Sequence, residues 1–153
     1  MRIIICFVAF ICFLQVGDAQ STTYKDSIDM LLNETRKGNK VYRDKDTAAK
    51  CLYFFHKKKK QIVTAVLAPS GSHSAYHYDF IDNELVRIVF YLPYSIRPES
   101  RGKPMNGIYY FRNGYLAHKV EINFPELDIE AYRIQGIELY DRAIQFLKNR
   151  GVD

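Results

Sequence analysis

Between Ser70 and Asp79 the chain reads Ser-Gly-Ser-His-Ser-Ala-Tyr-His-Tyr-Asp, its densest run of side chains able to hold a metal or move a proton. His73, His77 and Asp79 share one parity and so one side of an extended strand, and imidazole with carboxylate is a ligand set that suits zinc. The spacing works against convergence. Residues four apart on a strand stand roughly 13 Å from each other, so His73 and His77 would grip one ion only if the chain bent between them. The strand keeps only His77 and Asp79 as neighbours. Ser70, Ser72 and Ser74 with His73 and Asp79 supply the residue types of a hydrolase triad, yet no G-x-S-x-G elbow presents a nucleophile, and Pro69-Ser70-Gly71 reads as a turn. His118 falls between Leu116 and Val120 on what parity makes a core face, where a hydrogen-bonded histidine is expected rather than a base. The sequence holds no phosphate-binding loop, dinucleotide fingerprint, zincin helix or CxxC. No catalytic residue, metal ligand set or cofactor is therefore assigned. The expectation is a non-enzyme, and its rival is a small secreted hydrolase or metal-dependent enzyme at His73, His77 and Asp79.

Binding chemistry is better supplied. Lys57, Lys58, Lys59 and Lys60 follow His56 on a short turn, and the stretch from Pro93 to Gly107 adds Arg97, Arg101 and Lys103 among three prolines. Either group can meet phosphate or carboxylate, although charged tips also serve to keep sheet edges unpaired. These cations, with His77 and Asp79, are the candidate binding residues. The net charge of +5 favours anionic neighbours and is too small to argue for nucleic acid.

The elements that must position these residues repeat. Tyr-x-Phe, a polar turn and an opening aliphatic residue recur as Tyr53-Phe54-Phe55 to Ile62, Tyr78-Asp79-Phe80 to Leu85 and Tyr109-Tyr110-Phe111 to Leu116. The step from Phe to the aliphatic residue is five in the last two copies and seven in the first, so the first turn is two residues longer. Each copy reads as a β-hairpin, because Asp82-Asn83 and Asn113-Gly114 tolerate the positive φ of tight turns between aromatic and β-branched runs. The strings from Tyr109 to Leu116 and from Tyr78 to Leu85 resemble MORN-variant hairpins and secreted bacterial proteins with YYF-x-NG-x-L strands. That resemblance implies an antiparallel sheet used structurally or for binding, and it transfers no catalytic residue.

Parity places Leu116, Val120 and Ile122 on one face of the last strand. Both faces of 85–92 are apolar, as in a sheet's interior. Helices are expected at both ends. One carries Ile28, Leu31 and Leu32 and stops at Gly38; the other carries Ile134, Ile137, Ile144 and Leu147 after an acidic start. Both are expected on one sheet face, and Asp46 to Cys51 reads equally as a helical turn. The fold class is α+β, a meander of five to six antiparallel strands with an N-terminal helix and a C-terminal amphipathic helix packed on the sheet.

At the start, Met1 and Arg2, the apolar run Ile3 to Val16 and the ending Gly17-Asp18-Ala19 read as a signal peptide over 1–19, too short an apolar run to cross roughly 30 Å of hydrocarbon. Residues 20–153 then form a single secreted or periplasmic domain with no transmembrane span. Cys51 is its one cysteine, so a disulfide scaffold is excluded and a buried thiol expected. Asn33-Glu34-Thr35 is a glycosylation sequon, relevant in a eukaryotic secretory route. The expected role is binding of an unidentified protein or an anionic envelope polymer. An immunity or inhibitor protein against an exported toxin fits the same size and compartment.

Overall fold

The three Tyr-x-Phe strings each build one hairpin of a single antiparallel sheet. The computed structural model describes residues 23–45, 49–70, 74–92, 105–122 and 127–152. Strands β1 (Asn39–Asp44), β2 (Ala49–His56), β3 (Gln61–Pro69), β4 (Ala75–Ile81), β5 (Glu84–Leu92), β6 (Met105–Arg112) and β7 (Tyr115–Ile122) lie side by side in chain order. Helix α1 covers residues 23–35 and helix α2 covers Ile129–Lys148. The fold is α+β, with seven strands where five to six are expected from the sequence. The additional strand is β1, an edge strand whose Lys40, Val41 and Arg43 are exposed. Short charged edges resist further pairing, and the same charges blur the alternation that would reveal a strand. Ala49 to Cys51 open β2 instead of a helical turn. The signal-peptide reading of 1–19 lies outside the described residues.

The turns follow their residue chemistry. Asp82 and Asn83 (φ 50° and 69°) and Asn113 and Gly114 (φ 52° and 80°) form the two-residue links with positive φ at both positions that match the twist of a hairpin. The β2–β3 link, residues 57–60, is two residues longer.

Each hairpin also carries a bulge immediately before its Phe, between Phe54 and Phe55, Asp79 and Phe80, and Tyr110 and Phe111. Phe55, Phe80 and Phe111 pair with Ile62, Leu85 and Leu116, after which one residue of the return strand is skipped. Parity therefore breaks at Val63, Val86 and Ala117. Tyr53, Phe55, Tyr78, Phe80, Tyr109 and Phe111 all bury on one sheet face, the α2 face. Thr64, Arg87 and His118 oppose Phe54, Asp79 and Tyr110 on the other. His118 consequently stacks beside Tyr110, at 5.9 Å between ring centroids, and does not share a core face with Leu116, which is exposed.

Helix α2 packs on the aromatic face with Gly136, Leu139, Ala143 and Leu147 as its buried line, and Cys51 lies in the same core. Ile134 and Ile137, expected in that line, are exposed instead. Small residues are what the approach demands: a Cβ on Gly136 would lie 2.5 Å from Tyr78 Cδ1. Helix α1 packs on the opposite face, where Ile28 and Leu32 meet Val86 and Tyr110 while Leu31 stays outside, and the turn that follows it closes at Gly38 with φ 80°. The two helices thus pack on opposite faces of the sheet rather than on one, because Val86, Arg87 and Tyr110 face away from α2 and offer Ile28, Leu32 and Asp29 of α1 an apolar and charged surface to meet. Among the described residues no helix is long and apolar enough to cross a membrane.

Candidate functional site

The bulges put a row of polar residues under α1. Asp79, with no solvent-exposed surface, accepts from Thr64 Oγ1 at 2.6 Å on one oxygen and from Arg87 Nε at 2.8 Å on the other; Arg87 Nη2 stands 2.7 Å from that second oxygen and Arg36 Nη2 3.5 Å from the first. Arg87 also reaches Asp29 of α1 at 2.6 Å, and Asp29 takes the Tyr110 hydroxyl at 3.0 Å and Lys25 at 3.0 Å. Burial raises the Asp29 carboxyl, but the bonds from Lys25 and Tyr110 and the charge of Arg87 outweigh it and hold the group below its usual range. Tyr24 adds a bond from its hydroxyl to the Phe111 carbonyl. This network is a clasp between α1 and the sheet. Both Asp79 oxygens are occupied, which leaves them poorly placed to take a metal or a substrate proton.

His77 lies two residues from Asp79 on the same face, between Val66 of β3 and Val89 of β5. Burial pushes its imidazole below the ordinary histidine value; Asp79 opposes that, while Arg36 and Arg87 reinforce it. The pair is therefore brought together in space but divided in role, with Asp79 inside the clasp and His77 beside it. Among the described residues no three His, Cys, Asp or Glu side chains gather as a metal site. Lys57 to Lys60 project from the β2–β3 turn, all exposed. His73, Arg97, Arg101 and Lys103 lie outside the described residues.

The feature that sequence reasoning missed lies at the other end of the α1 face. There β1, β2 and β3 floor a hollow of about 580 Å³ lined by Arg43, Asp44, Lys45, Ala49, Lys50, Leu52, Val66 and Ala68. Its volume falls within the roughly 300–1,000 Å³ typical of small-molecule sites. Leu52 pairs with Val66, Lys50 with Ala68 and Arg43 with Leu52, so register alone sets an apolar centre among cations. No residue of either helix lines it. Arg43, Lys45 and Lys50 are exposed and have no ion-pair partner among the described residues. Asp44 is turned to the α2 face, where it accepts from Tyr53 OH at 3.3 Å and Arg142 Nη2 at 3.0 Å. The one sequence signal for this hollow was the pair of cations flanking the β1–β2 link, and it meant little without the strand β1 that brings Arg43 alongside.

A second open surface lies on the α2 side at the hairpin tips. Tyr115, Leu116, Ile134 and Ile137 are exposed there around Arg133, which pairs with Glu130 at 2.6 Å. Compared with known protein families, with curated proteins and with solved structures, the chain matches none.

Proposed function

We propose that this chain is an exported binding domain, not an enzyme, and that it takes an anionic partner in the hollow over β1 to β3, which among the described residues neither helix lines. The observation that carries this reading is the hollow itself: apolar side chains ringed by three cations without partners among the described residues. Exposed cations beside an apolar wall hold an anion more strongly than cations surrounded by water on every side, because the local dielectric is lower. The leader-like residues 1–19 support export, and the net charge of +5 supports an anionic partner.

Retention on a sulfonate or heparin resin tests the reading. Replacing Arg43, Lys45 and Lys50 together with Gln should shift elution to lower salt by more than replacing Lys57, Lys58, Lys59 and Lys60 does, although the latter removes more charge. Equal or reversed shifts would move the site to the turn and remove the hollow from the account. A protein partner, as an immunity or inhibitor role would need, is the second reading. The exposed Tyr115, Leu116, Ile134 and Ile137 favour it, since aromatic and aliphatic anchors beside an Arg are the usual makings of a protein-binding centre.

A further inference from the structure

Resting on the anionic-partner reading, we propose that the hollow is built for one ligand class, a single aliphatic chain ending in a carboxylate, held as a free molecule rather than as part of a membrane. The floor decides the tail. Leu52, Val66 and Ala68 offer only carbon side chains to whatever sits there, and Leu52 and Val66 are each paired with a neighbouring strand on both sides. A polysaccharide would press hydroxyls against these methyl groups without partners, and a peptide would do the same with its amides; either loses the water it gives up. A methylene chain loses nothing of the kind. The rim decides the head. Arg43, Lys45 and Lys50 are all cationic, and their long stems can lie along the apolar floor while the charges stay in water, the arrangement that suits a ligand with one greasy and one acidic end. The Asp44 carboxylate faces away from the rim, against Arg142, and so does not cancel it.

Titration calorimetry of the purified protein with octanoate, decanoate and dodecanoate, each kept below its aggregation concentration, tests this. Binding should tighten by about tenfold for every two methylenes until the hollow is full. Decanol should bind at least tenfold more weakly than decanoate, and the Arg43→Gln/Lys45→Gln/Lys50→Gln variant should lose the preference for the acid. All three positions are exposed, so the variant should keep its circular dichroism spectrum and melting point. If heparin binds in a rim-dependent way while none of the carboxylates does, the ligand class is wrong and the anionic-partner reading stands. If neither binds, both fall. Binding to anionic phospholipid vesicles without binding to any free acid would overturn the proposal in favour of a membrane surface.

Discussion

Asp79 is fully buried, its charge compensated by Arg87 and Arg36 and one oxygen further held by the Thr64 hydroxyl. Removing one partner of such a pair strands the other, which typically costs about 3–5 kcal/mol. Asp79→Ala should therefore lower stability by that amount in urea unfolding, and Asp79→Leu with Arg87→Met should recover most of it, since Asp29 keeps Lys25 and Tyr110. A double variant no better than the single would mean that the clasp contributes something other than charge compensation. His77 predicts a pH dependence. Its folded value lies below the ordinary 6.5, so as pH falls the unfolded chain takes the proton first. Stability from this group is complete above about pH 7, declines from 6.5 to the folded value and is constant below it. His77→Gln should remove that decline between pH 7 and 5 in urea midpoints. Asp29 acts lower, its contribution lost as pH falls from the usual carboxylate value through its depressed one. Of this cluster, the adjacency of His77 and Asp79 was legible from a spacing of two. The partners were not: Thr64 and Arg36 lie 15 and 43 residues from Asp79, and Arg87 comes opposite it only through the bulge in their shared hairpin.

The elements explain both what was readable and what was not. Turn types and the repeated Tyr-x-Phe layers follow from local chemistry, and Asn113-Gly114 and Asp82-Asn83 stand where such chemistry places them. The bulges are not local: one skipped residue in each return strand inverts the parity beyond it, which moved Arg87 and His118 to the α1 face and Leu85 to the other. Helix α2 misled for a different reason. Its large side chains suggest Ile134 and Ile137 as the core stripe, whereas contact with Tyr78 and Leu85 selects Gly136. Gly136→Ala should be destabilising by about 1–2 kcal/mol despite alanine's better helix propensity, because the methyl group meets the Tyr78 ring. Ile137→Ser should change stability by no more than about 0.5 kcal/mol. Thermal melts of the two variants separate this packing from the one that periodicity suggests, which ranks them in the opposite order.

At the scale of the molecule, α2 packs on the aromatic core of one face and α1 on Val86, Arg87 and Tyr110 of the other, and among the described residues neither helix lines the hollow beside β1. Anion binding there should weaken as salt rises, while the tail's contribution should not, since screening acts on the rim and not on buried methylenes. The most direct measurement is a methyl NMR titration of the labelled protein with decanoate. The account predicts that the largest shifts fall on Leu52, Val66 and Ala68, with Leu139 and Ala143 of the opposite core unmoved. Shifts confined to Ile134, Ile137 and Leu116, or no shifts at all, would contradict it.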